Sequence, residues 1–374
     1  MSVDFDTSLA DSQATPVQPL SVQEFDFDAY QEYEQSLLPR CADFWQSDSG
    51  VAVYRRMRVA EVFSYGCRDM QKSLQWQLGG LKKSMAFKAD IPNFLEPWYG
   101  IGTIASAYGA RYQWPEGQAP AIHSLFNSVE EALEFEPLPV AGTAIGKRTL
   151  EMIEYFLQET KGRLPMSLTD TQSPLNSACH IVDINQFMME TVLAPDKVRV
   201  FVDRLADLLI DFTRVQKQMI GDNLVWPGHG FASARNFEGI GMSDDNSLML
   251  SGQQYMELIA PAVEKFGQQF GGPVFHSCGN WADRVDFIKK IKGLRMVDGA
   301  FSPQTDPDPN PPEPFLSFAN TGIVVNARIV GSVDTIVEKV KELWRPGMKL
   351  IVVTYCKTPE EQEMAYDKIH EICR

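Results

Sequence analysis

The chain has 374 residues, 44% of them hydrophobic and 22% charged, with a formal net charge of -15. This composition suits a folded globular protein with a sizeable core, and the acidic surface disfavours a polyanionic partner such as nucleic acid. No apolar run approaches the roughly 20 residues of a membrane helix, and the start is acidic and polar instead of basic then apolar, so a cytoplasmic protein is expected.

Residues 1 to 24 mix Ser, Asp, Gln and Pro without apolar periodicity and read as a mobile tail, leaving 25 to 374 as one domain. From Phe25 to Ala86 the chain is poor in Gly and Pro, and YQEYEQSLLPRCADFW and CRDMQKSLQWQLGGLKKSMAF carry helical spacing, which predicts two or three helices. Thereafter short apolar runs alternate with longer helical ones. Strands are expected at 91–96, 164–170, 223–228, 273–278, 296–301, 323–329 and 349–356, and helices at 186–220, 253–270, 281–292, 332–343 and 359–372. Ser332 and the pair Thr358-Pro359 carry start signals, a hydroxyl that caps free N–H groups and a proline at the first helical position. The Pro-rich run DPDPNPPEP (306–314) stands where a helix is due and reads as an extended loop.

Strand and helix alternating to the last residue imply parallel strands joined by right-handed crossovers. No GxGxxG or phosphate-loop pattern follows any strand, and polar residues gather after almost every strand. Both features favour a (β/α)8 TIM barrel with an N-terminal helical extension over an open doubly wound sheet.

In such a barrel the chemistry sits where strands end. His276 and Cys278 close the strand PVFHSC, and Cys356 closes KLIVVTYC. One imidazole and two thiolates on a common rim suit zinc, and three protein ligands with an open fourth position describe a catalytic site. A cysteine ending a buried strand is otherwise a small core residue; what favours ligation is that both halves lie at strand ends, with Gly279-Asn280 turning the chain directly afterwards. Cys41, Cys67, Cys179 and Cys373 do not fit the rim and read as core or surface thiols, and six cysteines over this length do not make a disulfide framework. His123, His180, His229 and His370 have no partner at ligand spacing. Further strand-end candidates for binding substrate are Asp170, Gln172, Trp226, His229, Asp244, Asp245, Asn326 and Arg328, each of which can instead cap a helix or decorate a loop. The run FLEPWYG (94–100) can wall a pocket, although core packing accounts for Trp98 and Tyr99 equally well.

At PVFHSCGN the sequence resembles the uroporphyrinogen decarboxylase superfamily, in particular its zinc-dependent corrinoid methyltransferases. Segments 172–205 and 241–266 extend the likeness, which runs from about Phe94 to the end. The resemblance implies a zinc site of His276, Cys278 and Cys356, with Asp298 as a candidate fourth ligand. It further implies methyl transfer between a corrinoid on a separate protein and an acceptor such as a thiol or tetrahydrofolate. The alternative is a metal-free decarboxylase of a porphyrinogen, whose arginine-rich, glycine-ended loop YRRMRVAEVFSYG (54–66) does not reproduce. A non-catalytic relative that binds zinc or a pterin is a third possibility.

Overall fold

A computed structural model describes residues 13–374, so the first half of the expected tail lies outside the described residues. Six parallel strands form one sheet: β1 (Gly50–Arg55), β2 (Ile240–Ser243), β3 (Pro273–His276), β4 (Met296–Ala300), β5 (Val324–Ile329) and β6 (Lys349–Thr354), in the order β1-β6-β5-β4-β3-β2. The edges β1 and β2 do not stay open. Asp90 N–H donates to the Val53 carbonyl of β1, Ser167 N–H to Leu95, and Val225 N–H to Met166. Ser243 N–H of β2 donates in turn to Thr171, so extended segments around Leu95, Met166 and Leu224 complete the ring. The result is the expected parallel α/β barrel, with helices packed outside it.

Four strands stand where the apolar runs put them, while the expected strands at 91–96, 164–170 and 223–228 are extended segments joined by isolated bridges. Two strands are corrections. GVAVYR, inside the stretch read as helical, is β1, because buried flanks on both sides erase the polar alternation that marks a strand. IGMS, read as loop, is β2; four residues containing a glycine are too short to show a period.

Prolines cut the long helices. The span 186–220 is two helices, Ile184–Leu193 and Pro195–Ile220, with Pro195 in the first turn of the second. The span 253–270 breaks at Ile259, since Pro261 has no N–H to continue the ladder. The helix at 281–292 contracts to short turns over Ala282–Ile288. The last two expected helices are present as Val333–Leu343 and Pro359–Ile372, capped by the side chains of Ser332 and Thr358.

Residues 13–24, expected to be mobile, lie against the barrel. Thr15 N–H donates to the Arg58 carbonyl at 2.7 Å, and Lys83 donates to the Pro16 carbonyl at 2.8 Å. Gly79 in the helix Met70–Ser84 makes the seat possible: a Cβ there would stand 2.1 Å from the Gln18 carbonyl oxygen.

Candidate metal centre and its cavity

The C-terminal ends of the strands surround a cavity of about 400 Å3, the size of a small-molecule site. On one side, β3 ends in His276 and the chain then turns through Cys278. The Pro-rich run fixes that turn: Asp306 accepts from Gly279 N–H at 2.8 Å and Asn310 from Trp281 N–H at 2.9 Å. Asp245, just past β2, accepts the Cys278 N–H at 2.7 Å. These contacts bring together His276 Nε2, Cys278 Sγ and an Asp245 oxygen, with Nε2 at 3.4 Å from the sulfur and 3.6 Å from the carboxylate. Ligand atoms of all three lie within 4.8 Å of one another. Cys278 is the one exposed cysteine of the six.

The other imidazole nitrogen is occupied. His276 Nδ1 lies 2.6 Å from Asp298 Oδ2, and Asp298 also accepts from Arg328 Nε at 2.9 Å and from the Asn326 amide. Asp298 is therefore a buried support of His276, placed away from the cluster it was expected to join as a ligand. Burial opposes its charge, yet the Arg328 guanidinium and the His276 ring outweigh it and hold the carboxyl down at about 2. Burial likewise opposes protonation of His276, but Cys278 and Asp298 raise its pKa well above the ordinary imidazole range. In Asp245, His276 and the Cys278 contacts overcome burial to lower the carboxyl. A nitrogen, a sulfur and a carboxylate oxygen converging, with the imidazole anchored through its far nitrogen, fit a divalent metal of the zinc type.

Cys356 is not brought to this point. It follows β6, separated from β3 by β4 and β5, and its side chain sinks into the apolar core. Its carbonyl is held by Arg55 Nε at 2.9 Å, and burial pushes the thiol up to about 11. Cys41, Cys67, Cys179 and Cys373 are buried, as core thiols.

Of the substrate-binding candidates, Asp170 and Gln172 face the cavity. Gln172 donates to Asp170 Oδ1 at 2.8 Å and Trp98 Nε1 to Oδ2 at 3.1 Å. Asp244 turns the opposite way from Asp245, into the protein, where Ser173 and Tyr255 donate to it; burial raises its pKa to about 6. Trp226 stacks on Phe270, 6.0 Å between centroids, outside the cavity lining. Asn326 reaches the site only through Asp298.

The cavity also holds residues that the reading of motifs passed over. Arg56 and Arg58, from the segment judged short of an anion-binding pattern, line the cavity together with Arg328. Glu96, after the bridge at Leu95, lies 2.7 Å from His229 Nδ1 and 3.8 Å from Arg56. Burial opposes its charge, but His229 and Arg56 pull the carboxyl down to about 2. Sequence spacing offered no signal for this pairing, because the partners come from different staves.

The fold and the rim together define a parallel (β/α)8 barrel carrying a candidate metal centre at the C-terminal ends of its strands. Residues 51–226 match the family model described as uroporphyrinogen decarboxylase (URO-D), and the family likeness read from the motifs stands. The matched stretch includes Arg56, Glu96, Asp170 and Gln172; His276 and Cys278 lie beyond it. Among solved structures, the chain is similar to a methyltransferase from Methanosarcina mazei at a TM-score of 0.63 and 13% identity. That match covers 90% of this chain and 98% of the other; at such identity the likeness speaks for the fold. No curated protein matches the sequence. No helix among the described residues is long and apolar enough to cross a membrane.

Proposed function

We propose that the protein is a zinc-dependent methyltransferase that moves a methyl group between a corrinoid carried by a separate protein and a small acceptor, a thiol or tetrahydrofolate. The observation that carries this reading is the convergence of Asp245, His276 and Cys278 on one point of a cavity at the barrel rim. These three would hold the metal, which supplies Lewis-acid chemistry: it lowers the pKa of a bound thiol or polarises an oxygen or nitrogen acceptor. Asp298 holds the His276 ring so that Nε2 faces the cluster, and Arg328 and Asn326 keep that carboxylate charged and aligned. Asp170 and Gln172, which also line the cavity, would bind polar groups of the acceptor. The family match supports the superfamily that this reading shares with the second one below, and the likeness in fold to a methyltransferase favours the first.

A second reading, metal-free decarboxylation of a porphyrinogen, draws on Arg56, Arg58 and Arg328, whose guanidiniums suit carboxylates. Metal analysis of the purified protein, paired with a methylcobalamin demethylation assay, separates the two. Near one equivalent of zinc with thiol-dependent demethylation supports the first; metal-free protein that decarboxylates a porphyrinogen replaces it with the second.

A further inference from the structure

Three neighbouring staves bring two cations to the cavity. Arg55 of β1, Thr354 of β6 and Ile329 of β5 stand level in register. All three turn away from the site: Arg55 Nε holds the Cys356 carbonyl at 2.9 Å, Thr354 bonds to Gln362 of the last helix at 2.8 Å, and Ile329 packs in the core shared with the helices. Side chains alternate along a strand, so Arg56, one step past that level, and Arg328, one step before it, point inward. Both line the cavity and are nearly buried, 9% and 8% exposed.

Their charges are only partly answered. Arg56 Nη2 lies 3.8 Å from one Glu96 oxygen, while the other lies 2.7 Å from His229 Nδ1 and accepts the Gly230 N–H at 3.3 Å. Arg328 donates through Nε to Asp298 at 2.9 Å, and Asp298 also serves His276 and the Asn326 amide. Arg328 Nη2 is buried and has no hydrogen-bond partner among the described residues. A charged donor left bare inside a protein is costly, and this one belongs to a side chain that borders the cavity. Arg56 stands close enough to work against the Arg328 charge, while Cys278 works for it, so the second cation and the sulfur of the cluster are both within electrostatic reach. The other carboxylates of the lining are engaged elsewhere: Asp170 by Trp98 and Gln172, Asp306 by Gly279 N–H, and Asp245 by Cys278 N–H. Two like charges facing one space, with the neighbouring carboxylates already bonded, are matched by an oxyanion from outside the chain.

Resting on the methyltransferase reading, we infer that the methyl acceptor is an anion: its carboxylate or equivalent oxyanion docks between Arg328 and Arg56, and its reacting end reaches the cluster of Asp245, His276 and Cys278. Arg328 is shared in this arrangement. Nε stays with Asp298, which holds His276, and Nη2 takes the ligand, so one guanidinium ties the charged end of the acceptor to the support of the imidazole. Arg56 completes the clamp from the neighbouring side of the barrel. A neutral acceptor leaves Nη2 bare and forfeits this contact, which makes the two arginines specificity-determining.

The test compares two small thiols, 3-mercaptopropionate and 2-mercaptoethanol, as acceptors from methylcobalamin with the zinc-loaded protein. The quantity read is kcat/KM of the charged thiol over that of the neutral one, in the wild type, Arg56→Gln, Arg328→Gln and Arg328→Lys. Comparing this ratio between proteins cancels the intrinsic difference in thiol reactivity. Each Gln variant is expected to lower it by about 10–100-fold, the worth of a charge-assisted hydrogen bond, through a higher KM for the charged thiol. Arg328→Lys is expected to recover part of the loss, and calorimetry of 3-mercaptopropionate binding reads the same loss without turnover. Arg56→Gln carries the test if Arg328→Gln folds poorly or loses zinc, because Asp298 is held by Arg328, Asn326 and His276. An unchanged ratio in a folded Gln variant, with both thiols methylated, overturns the inference while the methyltransferase reading survives. A wild type that demethylates methylcobalamin with neither thiol overturns both.

Discussion

His276 and Asp298 stand in parallel register on neighbouring strands, and the 2.6 Å contact between Nδ1 and Oδ2 leaves Nε2 as the nitrogen that faces Cys278 and Asp245. A ligand imidazole held through its far nitrogen is fixed in both tautomer and direction. Asp298→Asn keeps the shape and removes the charge. It is expected to weaken zinc affinity by about 10–100-fold. It also leaves Arg328 buried without its carboxylate, at a cost of about 3–5 kcal/mol. Competitive metal titration and thermal unfolding check the two effects; unchanged affinity would remove Asp298 from the centre.

The two rim cysteines are expected to differ. Cys278→Ser should lose most bound zinc while the barrel stays folded, because its sulfur sits at the exposed cluster. Cys356→Ser should keep the metal, since that sulfur is packed in the core, and should instead cost about 1–3 kcal/mol for a buried hydroxyl. Metal content and denaturant midpoints of the two variants give the comparison. Loss of zinc from Cys356→Ser would return this residue to the ligand set.

Acid stability should depend on Glu96. Its carboxyl is depressed to about 2 in the fold against an ordinary value of 4.5, so it contributes stability that is fully present above about pH 4.5 and is lost as pH falls toward 2. Glu96→Gln is expected to be less stable than the wild type at neutral pH and to lose less between these limits. Urea unfolding across the window measures the slopes; parallel slopes would mean that Glu96 carries no such linkage.

Gly79 should act at a distance. Gly79→Ala puts a methyl group where the Gln18 carbonyl lies, 2.1 Å away, so the segment 13–20 must lift from the helix Met70–Ser84. A cost of roughly 1–3 kcal/mol is expected, as for other overpacked contacts. Amide exchange should rise sharply at residues 15 and 20, whose N–H groups donate to Arg58 and Gln75. Since Gln13 borders the cavity, loss of this seat should also widen access to the site. Unchanged exchange at both residues would show that the segment does not need the glycine.

What was legible in the sequence was whatever a single strand end could display. PVFHSC shows His276 and Cys278 in one run, and the alternation of strands and helices is enough for a barrel. The hidden parts depend on relations between runs. Asp244 and Asp245 are neighbours of the same type, and only the fold sends the first to Ser173 and Tyr255 and the second to Cys278. Cys356 follows its strand by two residues as Cys278 follows its own, yet it is packed in the core, a choice that packing makes and spacing does not. His229 carries no pattern of its own; its partners Glu96 and Asp170 reach it only when separate staves close the ring. The strand Gly50–Arg55 was invisible because a stave buried on both flanks looks like any apolar stretch.

That stave also sets an order of events. Gly50–Arg55 has its full register only with Lys349–Thr354, a partner made some three hundred residues later, and Arg55 waits for the carbonyl of Cys356. During synthesis its unpaired backbone is a sticky edge until Lys349–Thr354 has been made. The nascent chain therefore depends on holding this edge out of reach of other chains, and a product cut short before Lys349–Thr354 has a ring that cannot shut.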